Sequence, residues 1–415
     1  MFSIGISFLA LCLAVICAGD QSFSQSLRNG SCQEYVIPVS PSSIGLNYSV
    51  PPFENNFDVI DLVTHLASRD SANFSPFSGP LALSGNYTIA AEVCTPTSKT
   101  GKESVVLLLS HGLGYDRKSV ARHPIQAQSN MSSYWDPSIA EQYNFVDHAL
   151  SQGYSVFNYD RLGTGKSSRV GGYNEVQASQ QVAILTQLAQ NVRQGHYTNH
   201  IGIPSKLVLV GHSFGSFISN AAISSNNSSA PALADALVLT GFGYNLSVAN
   251  FIEALNFKIA STTSNPRFSA LDSGYLTWND VFSNVATYFP APYFEQAIAN
   301  YTESEKQAVG ISELLTFGTL DIHAPGFTGP VQILNGGGDF AVCGGNCTDW
   351  VEPYAPSYFP NAKVLEVVEH GGVGHAVNLH ENATGAFGVM TDGHAYTAYG
   401  DITKSMPPPQ FGNVP

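Results

Sequence analysis

The sequence of 415 residues contains little charge, and positive charge is especially scarce. Only 12% of its residues are charged, and 17 Lys and Arg stand against 31 Asp and Glu, so the formal net charge is −14. Proteins that bind nucleic acid neutralise its phosphates with basic patches. The shortage of basic residues therefore excludes nucleic acid as the expected partner, and we interpret the acidic surplus only as a source of solubility.

Metal and nucleotide motifs are also missing. The 12 histidines include no H-E-x-x-H or similar metal spacing. The run G-T-G-K-S from Gly163 to Ser167 resembles a phosphate loop, but Asp160 stands where that motif requires its first glycine. We therefore expect neither a metal site nor a phosphate loop.

Long apolar runs are missing beyond the first residues. Ile4 to Cys17 is almost wholly apolar but too short to span a bilayer comfortably, and Ala18 and Gly19 are small residues suited to cleavage. This pattern predicts a signal peptide at 1–19, with a membrane anchor as the alternative because the usual basic residues before the apolar run are absent. No later segment is long and apolar enough to span, so we expect a secreted protein without a stable membrane span.

Cysteine is scarce too, but its number suits an exported protein. Signal cleavage would leave Cys32, Cys94, Cys343 and Cys347, an even number in an oxidising compartment. The expected disulfides are Cys32–Cys94 and Cys343–Cys347, although the sequence leaves the other two pairings open. Export is also indicated by N-x-[ST] glycosylation sequons. They occur at Asn29, Asn47, Asn73, Asn86, Asn130, Asn226, Asn227, Asn245, Asn300, Asn346 and Asn382.

The pattern along the chain predicts six segments. They are the signal peptide at 1–19, an N-terminal extension at 20–85, a first part of a catalytic core at 86–242, an inserted lid at 243–329, a second part of the core at 330–404 and a disordered tail at 405–415. The extension shows little regular pattern apart from a short helix predicted from Phe57 to Leu66.

Strand-like runs recur through the two core parts. They begin at Tyr87, Val105, Tyr154, Lys206, Ala236, Val331 and Lys363. Several are apolar without alternation, as in strands that are covered on both faces, and helical patterns such as 176–192 and 214–224 lie between them. The sequence therefore predicts an α/β fold with a mostly parallel central sheet and helices on both faces.

Residues 243–329 break this alternation. They contain no clear buried strand but many aromatic residues, and we interpret them as a helical lid inserted over a functional site. The alternative is additional helical packing without a gating role. The aromatic residues include Phe251, Phe257, Tyr275, Trp278, Phe282, Tyr288 and Phe289.

The sequence G-H-S-F-G, from Gly211 to Gly215, joins a buried-strand pattern to a helical pattern. A sharp turn of this kind exposes its central residue, here Ser213, at the edge of a sheet, and the flanking glycines let the backbone pack closely around it. A serine hydroxyl becomes a good nucleophile when a base removes its proton and an acid orients the base. The context therefore predicts Ser213 as a nucleophile.

Candidates for the base and the acid lie late in the chain. We predict His375 as the base because it follows a glycine in a loop after the last strand, and His370 and His380 are its competitors. Asp339 follows a strand and a cluster of glycines and is predicted as the acid. Asp235 is a weaker candidate because it precedes its strand and would lie at the wrong end of a parallel sheet.

Five motifs together resemble the α/β-hydrolase superfamily, and more narrowly the secreted serine hydrolases of filamentous fungi. They are S-H-G-L-G-Y-D, N-Y-D-R-L-G-T-G-K-S-S, V-G-H-S-F-G, G-G-G-D and G-H-A-V-N-L-H. The resemblance covers Tyr87 to Tyr399, and the chain order serine, acid, histidine agrees with it. It implies esterase, lipase, lactonase or peptidase chemistry without a metal or organic cofactor, and the lid carries no signature that narrows the substrate.

The same resemblance implies roles for several backbone groups and loops. The backbone N–H groups of Leu113 and Phe214 are expected to form an oxyanion hole, and His111 is expected to be structural. The run D-R-L-G-T-G is expected to be a loop after a strand in which Asp160 pairs with Arg161.

We therefore expect a secreted serine hydrolase in which Ser213 attacks a carboxylic ester or lactone of a small molecule or lipid. A peptidase is an alternative. An aminopeptidase would need acidic groups to hold a substrate amine, and Glu253, Glu295 or Glu303 of the lid could serve, although nothing in the sequence selects them. An acyltransferase and a non-catalytic binding protein are further alternatives on the same fold.

Overall fold

The computed structural model of the protein describes residues 26–27, 29–117, 134–225, 232–246 and 248–392. The predicted signal peptide at 1–19, the predicted tail at 405–415 and the sequons at Asn130, Asn226 and Asn227 lie outside the described residues. Within those ranges, no helix combines the length and the apolar character needed to cross a bilayer.

Every strand-like run of the sequence corresponds to a strand of the structure. In chain order the strands are β1 (Ser26–Leu27), β2 (Gly30–Val39), β3 (Ser42–Tyr48), β4 (Phe77–Ser84), β5 (Tyr87–Pro96), β6 (Val105–Ser110), β7 (Ser155–Tyr159), β8 (Lys206–His212), β9 (Ala236–Thr240), β10 (Lys258–Ile259), β11 (Tyr275–Thr277), β12 (Val309–Gly310), β13 (Val331–Gly336) and β14 (Leu365–His370).

The predicted helices are also present, and shorter ones accompany them. The helices are α1 (Asn56–Ala67), α2 (Phe145–Ser151), α3 (Ala178–Arg193), α4 (Phe214–Ser224), α5 (Val248–Leu255), α6 (Val281–Tyr288), α7 (Gln296–Glu305), α8 (Ile311–Thr316), α9 (Phe340–Cys343), α10 (Ala355–Tyr358) and α11 (Ala383–Asp392).

A nine-stranded sheet forms the centre of the molecule, in the order β1-β2-β5-β7-β6-β8-β9-β13-β14. Neighbouring strands are parallel from β7 to β14 and antiparallel from β1 to β7. Helices α3 and α4 pack on one face, and α2 and α11 pack on the other. The predicted α/β fold is therefore confirmed, and the loops that follow β8, β13 and β14 meet at the carboxyl edge of the sheet.

The N-terminal extension contributes to this sheet, which the sequence pattern did not reveal. Strand β2 pairs with β5 along its whole length, so that Cys32 lies opposite Cys94 and the two form a disulfide. Five of the ten residues of β2 are exposed, and the buried positions change face along the strand, from Gly30 and Cys32 on one face to Ile37 and Val39 on the other. Its sequence therefore mixes polar and apolar residues and lacks the continuous apolar run of a strand that is buried on both faces.

The inserted segment 243–329, which we call the cap, lies between β9 and β13 and contains helices α5 to α8. Its described residues add no strand to the central sheet, in agreement with the sequence. It does contain β10, β11 and β12, which form a separate three-stranded sheet. The residues of β11 are buried although the sequence indicated no buried strand here, because a three-residue strand is too short to produce a recognisable pattern.

Candidate active site

Ser213 is the single residue between β8 and α4. Its backbone φ of 52° and ψ of −121° lie outside the regions that ordinary residues favour. Its N–H donates to the carbonyl of Thr240 at 2.8 Å, which ties the turn to β9. A side chain at Gly215 would approach the Ser110 carbonyl oxygen to 2.0 Å, so only glycine allows α4 to begin this close to β6.

Ser213, His375 and Asp339 form one chain of hydrogen bonds. His375 Nε2 lies 2.8 Å from Ser213 Oγ, and His375 Nδ1 lies 2.8 Å from Asp339 Oδ2. Because the carboxylate accepts the proton on Nδ1, the lone pair of Nε2 faces the serine hydroxyl. The three predicted residues therefore have the geometry in which a hydroxyl proton can pass to imidazole.

The backbone around Asp339 fixes the orientation of its carboxylate. While Oδ2 contacts the imidazole, Oδ1 accepts the N–H of Val342 at 2.8 Å. The main-chain carbonyl of Asp339 accepts the N–H of Gly345 at 3.0 Å. The disulfide between Cys343 and Cys347 closes this loop directly after the acid. Both carboxylate oxygens are therefore held, and rotation of the side chain would break two hydrogen bonds.

The competing histidines do not face Ser213. His380 is buried, and its Nε2 accepts the N–H of Gly374 at 3.1 Å while its Nδ1–H donates to the carbonyl of Ala376 at 2.8 Å. It therefore connects the backbone on either side of His375. His370 is half-buried, and its Nε2 lies 3.2 Å from the backbone carbonyl oxygen of Asn382.

His212 lies next to the nucleophile but is held in the core. Its ring stacks on Tyr134 with the centroids 3.9 Å apart, and its Nδ1–H donates to the hydroxyl of Thr240 at 3.2 Å. Burial lowers the pKa of His212 well below its ordinary value, and the neighbouring His375 and His111 lower it further. His212 is therefore neutral and packs the turn.

Two backbone amides beside Ser213 are available to a ligand. Leu113 and Phe214 both line the pocket at the serine, and Gly112 lies so close that a side chain there would meet Ser213 Cβ at 3.0 Å. Among the residues that the structure describes, neither the Leu113 N–H nor the Phe214 N–H has an acceptor. The arrangement can therefore stabilise a negatively charged oxygen next to Ser213.

The pocket at Ser213 is narrow and mostly apolar, with a cavity volume of about 30 Å³. Three of its lining residues belong to the cap, namely Leu246, Phe251 and Phe317. Apart from His375, no described residue that lines it carries an ionisable side chain. Glu253, Glu295 and Glu303, the candidates for holding an amine in the aminopeptidase alternative, are not among the lining residues.

The expected pairing of Asp160 with Arg161 is wrong. Asp160 contacts Arg117, at 2.8 Å from the backbone N–H and 3.5 Å from Nε. Arg161 instead pairs with Glu313 of the cap, and both side chains are buried. Two buried arginines, Arg117 and Arg161, lie near several carboxylates here, and closeness in sequence does not decide which ion pairs form.

Asp235, the weaker candidate for the acid, lies directly before β9, at the opposite end of the sheet from Ser213. It forms ion pairs there with Arg193 and Lys206.

One group of side chains has metal-like spacing within the described ranges, formed by Cys32, Glu92 and Cys94. Its two sulfur atoms are bonded to each other in the disulfide. They therefore have no thiolate to offer a metal ion.

Sequence reasoning missed three contributions to this site. Arg161 contacts the loop that carries Leu113, His380 supports the backbone around His375, and Tyr288 of the cap stacks on His375. The motif D-R-L-G-T-G drew attention to Arg161 but gave it the wrong partner. Nothing in the sequence distinguishes Tyr288 from the other aromatic residues of the cap.

Several solved structures are similar to this chain. An esterase from Exiguobacterium antarcticum shares 13% identity with a TM-score of 0.48, covering 74% of this chain and 95% of its own. A soluble variant of monoglyceride lipase from Saccharomyces cerevisiae shares 15% identity with a TM-score of 0.48, covering 74% and 91%. An enol-lactonase from Burkholderia xenovorans LB400 shares 15% identity with a TM-score of 0.47, covering 74% and 96%.

No curated protein sequence matches the chain at a significant level. The family model described as "Alpha/beta hydrolase family" does match it, over residues 105–387. This range includes the strand-to-helix turn at Ser213 and both of its hydrogen-bonded partners, Asp339 and His375. The chain is a member of the alpha/beta hydrolase family.

Proposed function

We propose that the protein is a secreted serine esterase that cleaves carboxylic esters or lactones through an acyl-enzyme on Ser213. The observation that carries the proposal is the continuous chain from Ser213 Oγ through His375 to the buried Asp339, with 2.8 Å at each step. Such a chain activates the hydroxyl, because the imidazole accepts its proton and the carboxylate stabilises the cation that results.

Acylation begins when Ser213 Oγ attacks the carbonyl carbon of the substrate. His375 Nε2 accepts the hydroxyl proton, and the backbone N–H groups of Leu113 and Phe214 hold the negative charge on the carbonyl oxygen. The bond from the carbonyl carbon to the alkoxy oxygen then breaks. His375 gives its proton to the departing alcohol, which leaves the acyl group on Ser213.

Deacylation repeats these steps with water. His375 Nε2 removes a proton from a water molecule as the water oxygen attacks the acyl carbonyl. The amides of Leu113 and Phe214 again hold the oxyanion. The bond to Ser213 Oγ breaks, His375 returns the proton to that oxygen, and the carboxylic acid departs.

The pocket favours a short and uncharged acyl group. Its lining is apolar, and its cavity volume is only about 30 Å³. An aminopeptidase would need a carboxylate near the substrate amine. Glu303 is instead bound to Lys306 and Trp278, Glu295 accepts the Tyr143 hydroxyl at 2.8 Å, and Glu253 is exposed. This arrangement supports ester cleavage over aminopeptidase activity.

We also propose that the cap is the lid of the site, inserted between core parts at 86–242 and 330–404. Leu246, Phe251 and Phe317 of the cap contribute to the pocket wall. These contacts support a gating role, because a shift of the cap would move part of the pocket wall.

The secreted state is supported by two features. Disulfides such as Cys32–Cys94 and Cys343–Cys347 persist in oxidising compartments. The asparagines of most described sequons are exposed, as a glycan requires. These are Asn47, Asn73, Asn86, Asn245, Asn300, Asn346 and Asn382.

The proposal is tested with purified protein and a panel of p-nitrophenyl esters from acetate to palmitate, lactones and aminoacyl p-nitroanilides. We expect turnover of the short esters, little of the long ones and none of the anilides. Covalent labelling by a fluorophosphonate should require Ser213. Hydrolysis of anilides in preference to esters would replace the esterase proposal by a peptidase, and a folded protein without labelling or turnover would contradict it.

A further inference from the structure

Arg161 is a buried cation that contacts the loop at His111 and Gly112, which lies beside Ser213. Its Nε donates to the carbonyl of His111 at 3.0 Å, and its Nη2 donates to the carbonyl of Gly112 at 3.1 Å. The Gly112 carbonyl also accepts His111 Nδ1–H at 2.9 Å. Two donors, one of them charged, therefore converge on a single carbonyl in a region without solvent.

That carbonyl belongs to the same peptide unit as the N–H of Leu113. The unit is planar, with the carbonyl and the N–H pointing in opposite directions. Fixing the carbonyl of Gly112 therefore fixes the direction of the Leu113 N–H, and hydrogen bonds to the carbonyl draw electron density from the N–H and strengthen it as a donor. The effect is large for a charged donor at low dielectric constant.

The same guanidinium also contacts the residue that carries the second amide. Its central carbon lies 4.6 Å from the centroid of the Phe214 ring, in the range of a cation–π contact. On its remaining side, Arg161 pairs with the buried Glu313 of α8 in the cap. Gln181 joins this pair through its side-chain amide, 3.5 Å from Glu313.

We propose that Arg161 is a positioning residue for the oxyanion hole. Its guanidinium orients and polarises the peptide between Gly112 and Leu113, whose N–H is the first donor, and packs on the ring of Phe214, whose N–H is the second. Glu313 of the cap holds the guanidinium in place. This inference rests on the proposed esterase function, because it assigns a role within the same site. It gives the cap a part in catalysis beyond covering the pocket, since α8 supplies the counter-ion.

The chain offers a matched control in Arg117. It is also buried and also paired with carboxylates, Asp160 and Glu92 among them. Among the described hydrogen bonds and ion pairs, those of Arg117 do not involve the peptides of Gly112 or Leu113, whereas those of Arg161 do. The experiment compares Arg161→Met and Arg161→Lys with Arg117→Met and Arg117→Lys. It measures kcat and KM on p-nitrophenyl butyrate, the inhibition constant of butaneboronic acid, whose adduct with the serine places an oxygen in the hole, and the melting temperature.

We expect Arg161→Met to lower kcat by on the order of tenfold to a hundredfold, less than the loss of a whole donor, with KM changed little. The affinity for the boronic acid should fall in parallel. Arg161→Lys should be intermediate because an ammonium keeps the charge but cannot reach both carbonyls. The Arg117 variants should lower the melting temperature with kcat preserved.

A folded Arg161→Met variant with unchanged kcat and unchanged boronic acid affinity overturns the inference, as does an equal fall in kcat for the Arg117 variants. If Arg161→Met fails to fold, Arg161→Lys decides, since wild-type kcat in that variant also overturns it. A wild-type protein that cleaves no ester overturns the proposed function together with this inference. Wild-type activity with insensitive Arg161 variants removes only the inference.

Discussion

The ring of Tyr288 lies against the imidazole of His375, with the centroids 5.4 Å apart and the ring planes inclined by 29°. The carbonyl of Tyr288 also accepts the N–H of Ala376 at 3.2 Å. Burial and the nearby Asp339 carboxylate both raise the pKa of Tyr288, so its phenol stays neutral. The end of α6 therefore supports the loop of the proposed base through both backbone and side chain.

This contact leads to a prediction about ring packing. Tyr288→Phe should retain most of the activity, because the stacking surface remains. Tyr288→Leu should lower kcat several-fold, since an aromatic contact of this kind contributes about 0.5–1.5 kcal/mol. The measurement is kcat on p-nitrophenyl butyrate at saturating substrate. Equal losses in the two variants would show that the hydroxyl, and not the ring, is what matters.

The proposed nucleophile and base should behave as a unit. Ser213→Ala and His375→Ala should each lower kcat by about a thousandfold or more, and the double variant should be no worse than either. Ser213→Ala should also abolish fluorophosphonate labelling without loss of folding. His370→Ala is the control, because its side chain is half-buried away from Ser213. Inactivation by His370→Ala alone would mean that the base is misassigned.

The two disulfides should have different consequences. Replacing Cys343 and Cys347 by serine frees a loop with a sequence separation of only 4, so the melting temperature should fall little, while turnover should fall several-fold because Asp339 loses its support.

Replacing Cys32 and Cys94 is the matched control for that disulfide. This bridge has a sequence separation of 62, which corresponds to about 4 kcal/mol of chain entropy. Its loss should lower the melting temperature clearly with kcat preserved. The reverse pattern in the two double variants would contradict the assigned roles. Free thiols at both Cys343 and Cys347 in protein purified without reductant would also contradict the prediction.

Substrate length should respond to the pocket wall and not to aromatic residues elsewhere in the cap. Phe251→Ala enlarges the pocket, so longer p-nitrophenyl esters should gain in kcat/KM relative to the butyrate. Phe282→Ala is the control because this cap residue is 78% exposed. Trp278 is fully buried against Gly114 and should affect stability first, although the sequence suggested it as a lid residue. An unchanged chain-length profile in Phe251→Ala would argue against the cap as the pocket wall.

Stability should fall as the pH decreases below about 6.5, the ordinary pKa of histidine. Burial lowers the pKa of His380 to about 4, against the opposing effects of the Ala376 carbonyl and the Asp339 carboxylate. Between these two values the unfolded chain binds a proton that the folded protein does not, so the free energy of unfolding decreases with decreasing pH. Burial likewise lowers the pKa of His111 and His212.

The contribution of His380 to this trend is on the order of 3 kcal/mol across the window. His380→Asn should flatten the pH dependence of the free energy of unfolding, measured by urea denaturation between about pH 4.5 and 7. The exposed His200 provides the control variant, His200→Asn, which should leave the slope unchanged. Equal slopes in wild type and His380→Asn would contradict the buried, neutral state of His380.

The sequence by itself determined the parts of this protein that depend on local pattern. The turn at Ser213 is encoded within a few residues, because a continuous apolar run gives β8, the glycines permit the turn and a helical pattern gives α4. The parallel sheet follows from repeated units of the same kind. These features then place Asp339 and His375 at one edge, which is why the three residues could be named before their distances were known.

Only the tertiary structure decided which distant residues surround them. Arg161 pairs with Glu313, and Tyr288 stacks on His375, across long separations in the chain. The cap contains other carboxylates and other aromatic rings that are chemically equivalent to Glu313 and Tyr288, so the sequence alone does not select these two. Strand β2 joined the sheet without a recognisable pattern because its buried positions change from one face to the other along the strand. Local backbone preference acts over a few residues and leaves a readable trace, whereas packing between distant segments depends on shape and on competition among similar side chains, which a single sequence does not reveal.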